Sequence, residues 1–217
     1  MTLTDRAARH AALGDPRRLL IVDHLATGDH TVAELADLAE MPGNLLAHHL
    51  DVLADAGIIS RHISEGDHRL RYVTLNPGSL PLLARPPDFG DVVAFVCTHN
   101  SARSQFAAAL WREVTGGRPS SAGTNPADRV HPKAIRVATE FGIDIGSEPP
   151  HGYDSLPGDL DLVVSVCDRA RESGMPKAAS TLHWSVPDPV PVGTLGAFRR
   201  AFGQIARRME QLAATQP

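Results

Sequence analysis

Five apolar residues run straight into a cysteine loop that closes on an arginine, and from there into a helix. Val92-Val93-Ala94-Phe95-Val96 leads to Cys97-Thr98-His99-Asn100-Ser101-Ala102-Arg103-Ser104-Gln105. The spacing of Phe106, Ala109, Leu110 and Val114 then predicts a helix that ends at Gly116-Gly117. A continuous apolar run of this kind fits a strand buried on both faces in a parallel sheet. Strand, tight loop and helix together wrap backbone N–H groups and the positive helix end around one point. A tetrahedral dianion fits such a cradle. Arg103 at the rim can hold two of its oxygens through the planar guanidinium. The same field favours the anionic form of the Cys97 sulfur. Ser104 can donate a hydrogen bond to that sulfur. Asn100 tolerates a left-handed backbone and can tie the loop down through its side chain. Thr98, His99, Asn100, Ser101, Ala102 and Arg103 are therefore the expected oxyanion-binding residues, with Cys97, Arg103 and Ser104 the expected catalytic ones.

The rest of the composition narrows the setting. Cys97 and Cys167 are the only two cysteines among 217 residues, which makes no disulfide scaffold and points to thiol chemistry in a reducing compartment. No apolar run approaches the roughly 20 residues that span a bilayer. The stretch from Met1 to Arg18 lacks the apolar core of a secretory signal. A cytoplasmic location without membrane contact is expected. Charge is uneven: residues 1–82 hold 7 of the 21 Lys+Arg and 11 of the 25 Asp+Glu, and residues 83–217 hold 14 of each.

The chain divides near residue 86. Asn76-Pro77-Gly78-Ser79 ends the first pattern, and Arg85-Pro86-Pro87-Asp88 reads as a short stiff linker. The expected division is 1–82, a linker over 83–89, and 90–217. Before the linker the pattern is mostly helical. Ala7 to Leu13 forms a short helix. Asp15-Pro16 opens a second, with Leu19, Leu20, Val22 and Leu25 apolar. Thr31 and Glu34 make a capping box for a third, with Leu35 and Leu38 facing inward. After a turn at Met41-Pro42-Gly43-Asn44, a fourth runs through Leu46, His49, Leu50 and Leu53 to a stop at Gly57. Two β-like runs, Ile58–Ile63 and Leu70–Leu75, flank turn chemistry at residues 64–68. Helix, helix, turn, helix and hairpin make a mostly α winged helix-turn-helix with a β-hairpin wing.

This region, roughly residues 5–76, resembles the arsenic-repressor (ArsR-type) family. Leu13-Gly14-Asp15-Pro16-Arg17-Arg18 and the run from His48-His49-Leu50 to Gly57-Ile58-Ile59 carry the likeness. The resemblance implies a double-stranded-DNA-binding, usually dimeric module, with the 43–55 helix in the major groove. Asn44, His48 and His49 would meet bases, and Arg61, Arg69 and Arg71 on the wing would grip phosphates, with Arg17-Arg18 as further cations. The metal-sensing cysteines of many members are missing from Gly28–Leu35. The domain's histidines show no tight His-x-x-x-His pair, so no metal site is expected.

After the linker, the Cys97–Gln105 segment resembles the low-molecular-weight tyrosine phosphatase superfamily, particularly its arsenate reductase branch. The likeness extends over residues 91–215. Ser120–Thr124 ends a second strand, His131–Glu140 is a helix, Leu160–Cys167 is a third strand, and Leu182–Pro189 ends a fourth. A last amphipathic helix carries Phe198, Phe202, Ile205, Met209 and Leu212. The resemblance implies an α/β domain with a four-stranded parallel sheet, helices on both faces and the site at the strands' C-terminal ends. It also implies that Asp188, in the Asp-Pro pair, is the general acid.

Both chemistries of that superfamily begin with attack by Cys97. A phosphorus adduct waits for water, whereas arsenic(V) accepts two electrons when a second thiol attacks the sulfur. Cys167 lies at a strand end on the side of Cys97, where thioredoxin-coupled reductases carry the resolving cysteine. The third cysteine of their relay is absent from Asp168–Gly174, so either a Cys97–Cys167 disulfide is reduced directly or a low-molecular-weight thiol resolves the arsenic adduct. Gln105, His183-Trp184 and the lack of an aromatic residue after Asp188-Pro189 favour arsenate over phosphotyrosine. Phe106-Ala107-Ala108 lacks the acid that many reductases have there. The expected activity is thiol-dependent arsenate reduction without a bound cofactor, drawing on thioredoxin, glutaredoxin or a low-molecular-weight thiol such as mycothiol. A phosphatase and a non-catalytic arsenate or phosphate sensor are the alternatives.

Overall fold

The computed structural model describes residues 2–76 and 89–213, which pack as two compact units. In the first, α1 (Leu3–Leu13) opens with a reciprocal cap between Thr2 and Asp5. α2 (Pro16–Thr27) opens at Asp15, whose carboxylate accepts from the N–H groups of Arg17 and Arg18. β1 (His30–Thr31) is followed by α3 (Val32–Leu38), held by the capping box of Thr31 and Glu34. α4 (Gly43–Asp55) follows, and Gly57 in the left-handed region (φ 66°) turns the chain out of it. β2 (Ile59–Ile63) and β3 (Arg71–Leu75) pair antiparallel from Ile59↔Leu75 to Ile63↔Arg71. β1 pairs with the other edge of β3, giving the order β1-β3-β2.

The core of this unit gathers Ile21, Leu25, Leu35, Leu46, Leu50, Leu53, Ile58 and Val73. Two expected inward positions are corrected. Leu20 is 41% exposed while Ile21 is fully buried, and Leu38 is 43% exposed while Leu35 is fully buried. One residue turns a side chain about 100° around a helix, so an apolar neighbour can take the inward place.

The second unit is built on a parallel sheet of order β5-β4-β6-β7. Its strands are β4 (Val93–Cys97), β5 (Ser120–Gly123), β6 (Leu160–Ser165) and β7 (Ala178–His183). All five residues of β4 are buried, as the apolar run requires. β7 lies earlier than expected and stops at His183, so Asp188 stands beyond the strand on an irregular stretch. The helices are α5 (Arg103–Thr115), α6 (Pro132–Glu140), α7 (Asp168–Glu172), α8 (Pro189–Val192) and α9 (Leu195–Ala213). Val93, Phe95 and Cys97 enter the larger core, where Phe106 of α5 meets Phe202 of α9 edge-on at 5.2 Å. The five apolar residues read in the last helix are all buried there. Val114 of α5 is half exposed instead. Ala94 and Val96 enter a smaller cluster, closed by Tyr153, Leu156 and Met175 rather than by a long helix.

The turn residues 77–79 and the linker residues 83–88 lie outside the described residues. Among those described, no helix is long and apolar enough to cross a membrane.

His49 is buried in α4, and neither of its ring nitrogens has a hydrogen-bond partner among the described residues. Burial pulls its pKa below the ordinary 6.5 against the opposing pull of Asp15. The unfolded chain therefore binds this proton more readily. The first unit should keep its stability above pH 6.5 and lose it as pH falls through the folded-state value. His49→Leu removes two orphaned nitrogens and should stabilise by about 1 kcal/mol at pH 7. Urea midpoints measured from pH 7 to pH 5 should fall more steeply for the wild type than for this variant.

Candidate active site

Cys97 is the last residue of β4, at the C-terminal end of the parallel sheet. The loop after it is fixed from outside through its carbonyls. Thr124 N donates to Cys97 O (3.1 Å), Asn125 N to Thr98 O (2.8 Å), Ala127 N to His99 O (3.0 Å) and His131 N to Ser101 O (2.8 Å). Gln105 Nε2 donates to Asn100 O at 3.2 Å. In a trans peptide the next N–H points opposite to the carbonyl. Five carbonyls turned outward thus turn the N–H groups of Thr98, His99, Asn100, Ser101 and Ala102 inward, toward the sulfur. Asn100 N lies 3.2 Å from Cys97 Sγ, in keeping with this.

Asn100 makes the curvature possible. Its φ of 47° is left-handed, and its buried side chain is fully engaged. Nδ2 donates to Ser104 Oγ (2.8 Å) and Ser121 Oγ (2.9 Å), and Oδ1 accepts from His151 N (2.8 Å) and Gln105 Nε2 (3.3 Å). Ser104 Oγ, already accepting from Asn100, has its own hydrogen free for Cys97 Sγ at 3.1 Å. Gly123, paired with Cys97 across the sheet, leaves the loop its room. A Cβ there would stand 2.6 Å from Thr98 O and 2.9 Å from Asn100 N.

Arg103 opens α5 and is buried. Nη1 donates to Val186 O (2.8 Å), and Nη2 lies 3.1 Å from Asp188 Oδ2. Burial works against its charge, but Cys167, Cys97 and Asp188 outweigh it and raise the pKa above the ordinary value. Asp188 caps α8, with Oδ1 accepting from Val190 N at 3.1 Å. Cys167 is buried directly after Val166, with Sγ 3.2 Å from Thr98 Oγ1 and 3.4 Å from Ala170 N. Burial pushes its thiol up; Arg103 opposes and Cys97 adds to the rise, leaving the pKa above the ordinary value. The two sulfurs, the guanidinium and the carboxylate thus occupy one locality. The arrangement can hold a four-oxygen anion, present a sulfur nucleophile to its centre and offer a second thiol beside the first. Neither cysteine is in a disulfide.

Every expected residue of the Cys97–Ser104 loop is in this cradle, although His99 turns its ring outward to Asn125 O (2.9 Å). Three residues were not foreseen. Ser121 and His151 hold Asn100 from β5 and from the loop after α6, and neither has a local motif. Tyr153 has a buried hydroxyl without a partner among the described residues. Burial raises its pKa, and Cys167 and Cys97 push the same way.

The expected DNA-facing residues are split. Asn44, His48, Arg69 and Arg71 are exposed. His49 is corrected to a core residue: it stands on the α4 face that carries Leu46, Leu50 and Leu53. Arg61 is exposed but bound to Asp51 of α4 (2.7 Å). Arg18 reaches back to the carbonyl oxygens of Ala11 and Ala12 at the end of α1.

The family model for low molecular weight phosphotyrosine protein phosphatase matches residues 92–216. The chain belongs to this family. A second model, bacterial regulatory protein of the arsR family, matches residues 15–61. An arsenate reductase of Halalkalibacterium halodurans is 34% identical over 134 residues, 57% of this chain and 96% of its own length. A glutaredoxin arsenate reductase of Synechocystis is 34% identical over 131 residues, 56% of this chain and 95% of its own. A solved arsenate reductase in the phosphate-binding state superposes with a TM-score of 0.50 at 29% identity, covering 59% of this chain and all of the other. All three likenesses therefore concern about three fifths of this chain or slightly less.

Gly123→Ala tests the cradle without touching a reacting group. The clash is with backbone, so the loop must shift; a loss of about 1–3 kcal/mol in stability is expected. Alkylation of Cys97 by iodoacetamide should change with it, as the sulfur loses its aligned N–H groups. An unchanged rate and an unchanged Tm would contradict the packing described.

Proposed function

We propose that the second unit reduces arsenate to arsenite through an adduct on Cys97, and that the first is a DNA-binding regulator of the arsenic-repressor type. The observation that carries the reading is the second thiol. Cys167 Sγ sits 3.2 Å from the hydroxyl of the residue that follows Cys97. Phosphoester hydrolysis has no use for a second thiol, whereas arsenate reduction requires one, and Cys167 is the one this site offers.

The sulfur of Cys97 attacks arsenic, with the anion held by the loop N–H groups and Arg103. One arsenate oxygen leaves as water, taking a proton from Asp188. The Cys167 sulfur, deprotonated, then attacks the Cys97 sulfur. The S–As bond breaks, its electron pair goes to arsenic, and arsenite departs. Two thiols have become a Cys97–Cys167 disulfide, and arsenic(V) has become arsenic(III). An external thiol restores both cysteines by exchange; thioredoxin, glutaredoxin and a low-molecular-weight thiol such as mycothiol are the candidates. A cytoplasmic location, where thiol reductants and DNA are both at hand, is part of the same proposal.

The test is arsenite release with arsenate and each reductant, beside phosphate release from p-nitrophenyl phosphate. Cys97→Ser should abolish both activities. Asp188→Asn should slow them by roughly 10²–10⁴-fold. Cys167→Ser should remove arsenite release and spare phosphate release. Phosphate release with no arsenite from the wild type would select the phosphatase reading. Arsenate binding with neither product would select an oxyanion sensor.

For the first unit, we propose a division at 1–82, 83–89 and 90–217, with a homodimer bound to double-stranded DNA. Asn44 and His48 would face base edges, and Arg69 and Arg71 the phosphates. Arg71→Ala should weaken binding uniformly across sequences and reduce the salt slope by about 1 in gel shifts at several salt concentrations.

A further inference from the structure

The corner that carries Cys167 is flanked by buried polar groups which the proposed reaction leaves unused. Ser165 ends β6 two residues before the cysteine, and Asp168 opens α7 directly after it; both are buried. From the neighbouring strand, His183 lies between them, 2% exposed. His183 Nδ1 is 2.8 Å from Ser165 Oγ, and Nε2 is 3.3 Å from Asp168 Oδ1. Ser185 Oγ donates to the same Asp168 oxygen at 2.6 Å. Ser165↔His183 is also the last register pair of β6 and β7, and Trp184 N donates to Ser165 O at 2.8 Å. Burial works against the Asp168 charge, but the bonds from His183 and Ser185 hold its pKa down to about 2. The Asp168 carboxylate in this clasp is therefore charged near neutral pH.

A strand-to-helix corner needs no buried carboxylate, and apolar packing closes such a corner at least as well. What a clasp around a buried carboxylate adds is a single geometry. It locks the residues on either side of the sulfur, while Thr98 meets the sulfur itself. We propose that Asp168 and His183 are positioning residues for the second half of the reaction: they hold the 165–168 corner so that the Cys167 sulfur stays within reach of the Cys97 adduct. Neither touches the oxyanion. The inference rests on the reading of Cys167 as the second thiol. Its gain is effective concentration, because a sulfur held beside its target attacks far faster than one on a loose corner.

The experiment is a single turnover with arsenate and no external reductant. Cys97–Cys167 disulfide is followed by peptide mass and arsenite by its release, beside steady-state turnover of p-nitrophenyl phosphate. Asp168→Asn and His183→Gln should slow disulfide formation tenfold or more and leave phosphate release within about twofold. Ser185→Ala, which removes one donor and keeps the charge, should give a smaller loss of the same kind, and it serves where the other two fail to fold by circular dichroism. Equal losses in both assays would mean a merely structural role and would overturn the proposal, as would unchanged disulfide formation. If wild type forms no Cys97–Cys167 disulfide, or if Cys167→Ser releases arsenite as fast as wild type, the reading of Cys167 fails, and the positioning role falls with it.

Discussion

The site rests on which way five peptide groups point. Each carbonyl from Cys97 to Asn100 and that of Ser101 has a donor outside the loop, and peptide planarity then sends the opposing N–H groups inward. No single bond here is strong; a typical one contributes about 1 kcal/mol net. Their joint effect is orientation. Asn100 is the keystone because it is both the left-handed residue and the hub that joins β5, the start of α5 and the segment at His151. The charge pattern follows from this geometry. A ring of inward N–H dipoles beside a buried guanidinium is hospitable to one anion and hostile to a cation, before any reaction is considered.

Much of this was legible in sequence because it is local. The Val92–Val96 run specified a buried strand, and Cys-x5-Arg-Ser before a helical pattern specified the loop. Asn at the fourth position of that loop foretold the left-handed turn. The capping boxes and the stop at Gly57 were likewise written in neighbouring residues. What was hidden depends on distant contacts. β1 is two residues long, too short for alternation to show. Leu20 and Leu38 were given inward places by composition, and helix phase put them outside. The clasp at Asp168 joins residues 15 or more positions apart in sequence, across β6, α7 and the end of β7. The position of Asp168 beside a cysteine and the His183-Trp184 pair hinted at its members, but not at their meeting.

The first unit shows how burial redistributes charge that composition can only count. Residues 1–82 carry more acid than base, which sits poorly with a nucleic-acid surface. The structure engages some of those acids locally: Asp15 and Glu34 cap helices, and Asp51 is matched by Arg61. Arg18 is likewise turned toward the end of α1. What α4 offers outward at Asn44 and His48 is polar rather than basic. A helix of this kind can discriminate base edges but contributes little to grip. Affinity would then rest on the wing cations and, in the proposed homodimer, on doubling the module.

Two anionic sulfurs in one buried pocket would repel, and that repulsion gives the proposed reaction its order. Burial and Cys97 both push the Cys167 thiol up, and the opposing pull of Arg103 and Thr98 leaves it raised. The second sulfur thus keeps its proton before an adduct has formed. It competes neither for the anion nor for Arg103 at that stage. Once the Cys97 sulfur is bonded to arsenic in the proposed adduct it is no longer a thiolate, and the negative charge lies on the adduct's oxygens, against the loop N–H groups and Arg103. Arg103 still favours an anion at Cys167, and Thr98 still has a hydroxyl beside the sulfur. The second thiol therefore becomes a nucleophile when there is an adduct to resolve. The asymmetry between a loop-cradled sulfur and a clasped, protonated one is what makes the pair a sequence of steps.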